Sequence, residues 1–218
     1  MKTKIAIVAL LSVFNINASA DKVNGSLDVS YASDYYFRGA ELGADSLQAA
    51  VGANTVVNGF DVFGNFFTND TTGSGTANTD ILTVGGGKSF GDGLLSLYGG
   101  VVNVDQDGAE SMLDGFISAK FDTLLSPAVT VYRNTDDDLY TVEGAVSYKI
   151  KSELANLKLS VEAGTTDVTG SISRDYIGGT AKLSRTFGAV TPHLCLSVVD
   201  ADDSARDTIV RAGLTFKF

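Results

Sequence analysis

Hydrophobic and polar residues alternate along most of the chain, with an apolar side chain at every second position. From position 208 to the end, Leu214, Phe216 and Phe218 share one parity, whereas Arg211 and Lys217 share the other. A period of two is that of a β-strand with one apolar and one polar face. Because charged side chains must meet water or a paired charge, the second face is predicted to be wet.

The same pattern recurs about twelve times, and the connections alternate between tight turns and longer polar loops. Asn58-Gly59 is a tight turn, whereas residues 69–78 form a long polar loop. An even number of strands, joined by short turns on one side and longer loops on the other, is typical of outer-membrane barrels. The predicted strands cover residues 25–33, 46–56, 60–68, 79–88, 94–104, 111–121, 128–133, 139–150, 157–164, 175–185, 190–199 and 208–218.

These features predict an all-β fold, namely a transmembrane, antiparallel, up-and-down β-barrel of about twelve strands. The last strand, which ends on Phe218, resembles the closing strand and assembly signal of bacterial outer-membrane barrels. That resemblance implies the barrel assembly machinery, outer-membrane lipid and lipopolysaccharide as partners. The alternative is a soluble periplasmic β-protein, since a lipocalin-type barrel has the same period with its polarity reversed.

The first twenty residues are predicted to be a secretory signal peptide. Lys2 and Lys4 precede an apolar run over residues 5–14, and Ala18-Ser19-Ala20 supplies the small residues of a cleavage site. The apolar run is too short to cross the ~30 Å hydrocarbon core as a helix. We therefore expect residues 1–20 to be removed and residues 21–218 to form one exported barrel in the outer membrane of a Gram-negative bacterium.

Composition narrows the function further. A length of 218 residues suits one domain, and the single cysteine, Cys195, excludes an internal disulfide framework. The formal net charge of -10 argues against nucleic acid as a partner.

The charges divide between the two ends of the predicted barrel. The acidic loops are expected to form a vestibule that concentrates cations within a Debye length of ~8 Å, above a basic inner ring. Charge reversal at Asp136, Asp137 and Asp138 should lower the preference of the pore for cations. The alternative is that the charges only keep the loops and lumen wet. The acidic vestibule and the basic inner ring act on ions in opposite directions, so the sequence leaves the net ion preference open. The lumen-facing set is Lys120, Glu143, Lys149, Lys158, Glu162, Lys182, Arg211 and Lys217, and the acidic extracellular set is Asp136, Asp137, Asp138, Asp202 and Asp203.

The motif S-D-Y-Y-F-R-G follows the first predicted strand at residues 33–39. Together with the signal peptide and the terminal phenylalanine, it resembles the TorF family of porin-like proteins, whose members are proteobacterial outer-membrane barrels of unknown function. The segment S-L-Q-A at residues 46–49 resembles the family's second strand. The resemblance implies a porin, and it brings no substrate, cofactor or catalytic residue.

Strand parity assigns the side chains of this motif to two faces. Asp34, Tyr36 and Arg38 are predicted to face the lumen at the barrel rim, whereas Tyr35 and Phe37 are predicted to face the lipid boundary. Asp34 and Arg38 share a face and are expected to pair. The pair is either a charged filter at the pore mouth or a structural contact that fixes the first loop.

The sequence offers no convincing catalytic or metal site. The one histidine, His193, is predicted at the periplasmic end, across an apolar band of ~25 Å from the acidic loops. Catalysis needs hydrogen-bond reach between such groups, so we predict that the protein is not an enzyme. The acidic loops carry oxygen ligands, but their spacing does not match an EF-hand, so no metal is assigned. Gly85-Gly86-Gly87 is expected to relieve crowding or permit a bend.

The predicted function is therefore that of an outer-membrane porin through which ions and small hydrophilic solutes diffuse passively. About twelve strands lie between small barrels filled by side chains and wide porins. The alternative is a non-conducting barrel that acts as a receptor, adhesin or structural anchor.

Overall fold

A computed structural model describes residues 22–38, 40–71, 78–135, 139–168, 172–202 and 204–218. The predicted signal peptide falls outside the described residues, as do Asp136, Asp137, Asp138 and Asp203. Across the described ranges, no helix has the length and apolar character needed to cross a membrane.

The described residues form twelve antiparallel strands, each hydrogen-bonded to the next, and the first strand pairs with the last to close the sheet into a barrel. The strand number, the order and the closure agree with the sequence prediction. The strands are β1 (Asn24–Phe37), β2 (Ala40–Val57), β3 (Phe60–Thr71), β4 (Thr79–Phe90), β5 (Leu95–Gln106), β6 (Met112–Phe121), β7 (Ala128–Asn134), β8 (Tyr140–Lys151), β9 (Asn156–Val168), β10 (Ile172–Ser184), β11 (Val190–Ala201) and β12 (Ser204–Lys217).

The hairpins at one end are longer than predicted. A loop was expected over residues 34–45, but β1 continues to Phe37 and β2 begins at Ala40. Similarly, β9 reaches Val168 and β10 begins at Ile172. The loop prediction was wrong there because backbone hydrogen bonds can extend a ladder without apolar alternation.

The opposite end is called the terminal end, because β1 begins and β12 ends there, and the end with the long hairpins is called the far end. The connections between strands have two to six residues at the terminal end and two to seven at the far end, so the predicted contrast between tight turns and longer loops was wrong. Asn58 and Gly59 have φ values of 53° and 77°, which suits a two-residue turn with two left-handed positions. The predicted Asn-Gly turn between β2 and β3 is thereby confirmed.

The two faces of the sheet differ sharply in polarity. Cross-strand partners share a face, and the inner face buries polar side chains such as Ser30, Gln48 and Asn69. The outer face exposes large apolar side chains, among them Ile117 at 71% and Leu194 at 51%. A polar lumen inside an apolar exterior is the reverse of the polarity expected for a lipocalin-type barrel.

The closing seam joins β1 to β12 in a continuous register from Ser26↔Lys217 to Ala32↔Arg211. At the terminal end, the Gly25 N–H donates to the Phe218 carbonyl at 2.7 Å, and the Phe218 N–H donates back at 3.1 Å. On the lumenal side, the Thr215 hydroxyl donates to the Asp28 carboxylate at 2.5 Å. The seam is therefore held by backbone and side-chain hydrogen bonds together.

Candidate functional site

The structure places the eight charges assigned to the lumen on the inner face of the sheet. Lys120 is the cross-strand partner of Ser96, and both line a large lumenal cavity with Glu143. Glu162 and Arg211 line a second lumenal cavity. By the strand register, the same inner face also holds Lys149, Lys158, Lys182 and Lys217.

Four of these residues form one continuous row, which we call the basic row. Lys149 pairs with Lys158, and Lys158 pairs with Lys182 across adjacent strands. Lys182 pairs in turn with Cys195, whose next partner is Arg211. The register thus aligns four basic side chains along the wall from β8 to β12.

The basic row is costly for the fold. Directly opposed residues on antiparallel strands have Cβ atoms ~4.5–5.5 Å apart, and like charges there repel. The repulsion within the basic row therefore lowers the stability of this part of the wall.

The first hairpin folds into the lumen. The Tyr35 ring lies 5.4 Å from the Phe67 ring, centroid to centroid, and Phe67 belongs to the inner face. Phe37 lines the large cavity together with Tyr36 and Arg38. The prediction that Tyr35 and Phe37 face lipid was therefore wrong.

The reason is an interruption of strand parity near the hairpin tip. The β1–β2 register shifts between Tyr35 and Tyr36, which is the signature of a β-bulge. Arg38 and Asp45 both have a φ of 50°, a left-handed conformation that turns the chain. A period-two pattern cannot be extended through such a segment.

Arg38 crosses the lumen to the opposite part of the wall. Its Nη1 lies 2.5 Å from Oδ2 of Asp114 on β6, and the two side chains are only 11% and 2% exposed. Asn134 donates to the other carboxylate oxygen of Asp114 at 3.2 Å. The guanidinium also lies over the Tyr132 ring at 4.1 Å, a cation–π geometry.

The ion pair of Arg38 thus differs from the one predicted with Asp34. Asp34 lines the second cavity, whereas Arg38 lines the large one. Sequence reasoning missed Asp114 as a functional residue. The available signal was a carboxylate on the polar parity of a strand, two residues after the start of β6.

Tyr36 stands between the two lumenal cavities. Its hydroxyl donates to Asp207 at 3.2 Å and approaches Glu41 at 3.4 Å. It lines both the large cavity, of about 990 Å³, and the second, of about 450 Å³. We call Tyr35, Tyr36, Phe37, Arg38 and Asp114 the constriction, because this inward-folded segment and its anchor narrow the lumen toward the far end.

His193 lies buried on the inner face beside the seam. Its Nδ1 is 3.7 Å from Oδ2 of Asp28, and neither ring nitrogen has a hydrogen-bond partner among the described residues. Ser197 lies four residues farther along β11. This arrangement does not form a hydrogen-bonded nucleophile and base.

The acidic far-end set is only partly covered by the structure. Asp202 is exposed, and its carboxylate accepts a hydrogen bond from the Asp175 N–H at 3.1 Å. Within the described ranges, no group of three or more His, Cys, Asp or Glu residues is arranged to hold a metal ion.

A closed twelve-stranded barrel with an apolar exterior, a charged lumen and an inward-folded hairpin has the architecture of a porin. No protein-family model matches the chain, and no curated protein matches it in sequence.

Solved structures show the same fold. The KdgM porin in complex with disordered oligogalacturonate has a TM-score of 0.62 and 15% identity, covering 88% of this chain and 99% of that chain. The COG4313 outer membrane channel from Pseudomonas putida F1 has a TM-score of 0.60 and 10% identity, covering 93% and 97%. The NanC porin has a TM-score of 0.58 and 11% identity, covering 88% and 100%. The chain therefore has the barrel fold of outer-membrane porins and channels.

Proposed function

We propose that this protein is an outer-membrane porin through which ions and small hydrophilic solutes diffuse passively, with a preference for anions. The observation that carries the proposal is the basic row of Lys149, Lys158, Lys182 and Arg211. The apolar exterior suits insertion in lipid, and the fold is shared with the KdgM and NanC porins.

The preference for anions follows from where the positive charges sit. A wall lined by one sign of charge focuses the field and raises the local concentration of the opposite ion. Because the lumen also holds Glu143 and Glu162, the preference is proposed for the strip of wall along the basic row. Neighbouring strands are ~4.8 Å apart, so an anion meets the next cation of the row after a short step. The row runs across the strands, which in such barrels tilt ~35–45° from the barrel axis, so a solute that passes through the lumen meets the cations of the row at successive heights.

The proposal extends to export and assembly. Residues 1–20 direct the chain across the inner membrane, and the strand ending at Phe218 is the segment that the assembly machinery recognises. The acidic far-end loops then face lipopolysaccharide.

A second candidate function is a non-conducting barrel that acts as a receptor, adhesin or anchor. The constriction supports it, because the ion pair of Arg38 with Asp114 ties the first hairpin across the lumen. In this case ligands bind the far-end loops and no solute passes.

The deciding experiment is a planar-bilayer recording of refolded residues 21–218 under a salt gradient. We expect discrete conductance steps and a reversal potential on the anion-selective side. The triple variant Lys149→Gln, Lys158→Gln, Lys182→Gln should move that potential toward the cation-selective side. Lys88→Gln is the matched control, because Lys88 lies on the outer face over the Phe60 ring at 5.2 Å.

The outcomes separate the two candidates. A folded triple variant with the wild-type reversal potential contradicts the role of the basic row. A protein that folds and inserts but never conducts supports the second candidate.

A further inference from the structure

The large cavity has an aromatic wall that is separate from the basic row. Phe63, Tyr98, Phe116 and Tyr132 line it from β3 to β7, and none of the basic-row residues does. The Phe63 and Tyr98 rings meet edge to face at 6.0 Å, and the Phe116 and Tyr132 rings are 6.1 Å apart. We call these four rings the aromatic wall.

Glycines on neighbouring strands accommodate three of the four rings. Phe63, Tyr98 and Phe116 have Gly85, Gly87 and Gly100 as their cross-strand partners. A Cβ at Gly85 would lie 2.7 Å from Cζ of Phe63, and one at Gly100 would lie 2.9 Å from Cε1 of Phe116. Ring atoms of Tyr98 likewise occupy the Cβ position of Gly87. Each ring therefore leans over the backbone of the adjacent strand.

This packing keeps the rings along the wall and out of the middle of the lumen. A ring that covers a neighbouring glycine is a known way to stabilise a sheet. Here it also leaves a cavity of about 990 Å³ beside the rings. That volume lies at the upper end of the ~300–1,000 Å³ range of ligand pockets. The rings of Phe63, Tyr98 and Phe116 are thus a surface beside open space, unlike a packed core, whereas the Tyr132 ring is covered by the Arg38 guanidinium at 4.1 Å.

Polar groups surround the aromatic wall within the same cavity. Asp61 and Asp122 offer carboxylates, Lys120 offers an ammonium, and Ser118 and Thr130 offer hydroxyls that bond each other at 2.9 Å. Apolar rings combined with a few polar groups of both hydrogen-bonding types are typical of sites that orient a small ligand.

We propose that the aromatic wall is a binding site for sugar rings. A pyranose ring presents a flat face of C–H groups, which stacks on an aromatic face, and a rim of hydroxyls, which needs both donors and acceptors. The inference deepens the proposed function, because it names a class of solute that the lumen recognises beyond simple ions. The basic row then selects by charge on one side of the lumen, and the aromatic wall selects by ring shape on the other.

Binding is tested first without conduction. Maltotriose and cellotriose are titrated into the refolded, detergent-solubilised barrel in a calorimeter, and we expect saturable binding of at least one. The double variant Tyr98→Leu, Phe116→Leu keeps apolar bulk but removes two rings, and it should weaken binding at least tenfold. Tyr148→Leu is the matched control, because Tyr148 lies on the outer face.

Two further probes fix the ligand class. Polyethylene glycol of similar mass has no ring, and adenosine has a flat ring without a pyranose. Saccharide binding that is lost in the double variant and kept in the control supports the site. The proposal is overturned if neither saccharide binds the folded protein, if the double variant binds as well as wild type, if the polyether competes equally, or if adenosine binds more tightly than both saccharides.

This outcome is independent of the proposed function. A barrel that conducts with anion preference but binds no saccharide refutes the aromatic wall as a sugar site and leaves the porin intact. A barrel that binds saccharide but never conducts supports the aromatic wall as a sugar site and refutes the porin.

Discussion

Arg38 at the tip of the first hairpin and Asp114 on β6 form an ion pair 2.5 Å apart, although 76 residues separate them in sequence. The carboxylate is 2% exposed, and Asn134 donates to its second oxygen at 3.2 Å. This pair fixes the first hairpin to β6 on the other side of the lumen, so the constriction is anchored at both of its sides.

Breaking this pair should open the lumen and destabilise the barrel. Arg38→Met leaves Asp114 buried and unpaired, which is expected to cost about 3–5 kcal/mol. We expect a larger single-channel conductance and a lower midpoint of heat-dependent gel mobility. Adding Asp114→Leu should recover much of the stability while the conductance stays high.

Arg206→Met provides a control for that experiment. Arg206 pairs with Asp200 at 3.2 Å, but the two side chains are 70% and 47% exposed. An exposed pair contributes about 0–1 kcal/mol, so this change should leave both measurements near wild type. Equal conductance in Arg38→Met and wild type would show that the hairpin does not limit the current.

Two glycines test how closely the strands of the aromatic wall pack. A Cβ at Gly100 would lie 2.7 Å from Cα of Gly85, a backbone atom that cannot turn away. Gly100→Ala should therefore cost about 1–3 kcal/mol, the range for overpacking. At Gly115 nothing lies within 4 Å of the Cβ position, so Gly115→Ala should be near neutral. Denaturant unfolding in detergent micelles measures both, and equal losses would refute the packing argument.

The closing seam includes a charged hydrogen bond from the Thr215 hydroxyl to the Asp28 carboxylate. Thr215→Val removes the donor to Asp28, and hydrogen bonds to charged groups contribute about 1.5–3 kcal/mol. Thr191→Val removes a hydroxyl contact with Thr186 at 3.0 Å that involves no charge. The midpoint of thermal unfolding should fall more for Thr215→Val. A larger fall for Thr191→Val would contradict the assignment.

Anion preference should weaken as salt rises. The Debye length falls from about 10 Å at 0.1 M to about 3 Å at 1 M, so the field of the basic row is progressively screened. The reversal potential, measured at a constant concentration ratio, should move toward zero as the mean concentration increases. The triple lysine variant should show little such dependence, and a salt-independent wild type would indicate selection by size.

Alternation predicted the barrel well because the two faces of its wall meet different surroundings. Every predicted strand is present, and the Asn58-Gly59 turn has the left-handed φ values that its residues favour. Prediction failed over residues 34–45, where the bulge after Tyr35 and the left-handed Arg38 reset the parity. A local pattern cannot show that such a segment folds inward.

The contacts between residues of the candidate site could not be predicted from single strands, because they depend on the register between neighbouring strands. Parity placed Lys149, Lys158 and Lys182 on one face, but only the register shows that they are direct neighbours. Gly85 had two local explanations, and only the register shows that it lies beside Phe63, whose Cζ would be 2.7 Å from a Cβ at Gly85. Register is set by pairing over the whole sheet, so it follows from closure and not from composition.

The seam between β1 and β12 also governs how this chain can fold. Eleven of the twelve ladders join consecutive strands, but the last brings together residues such as Asp28 and Thr215, which are 187 positions apart. Contacts between residues so far apart in sequence form slowly, because the intervening chain loses conformational entropy before the contact can offset that loss. Until the final strand is made, the growing sheet has two unpaired edges, each able to pair with another chain. We therefore expect aggregation to compete with folding until the first strand pairs with the last.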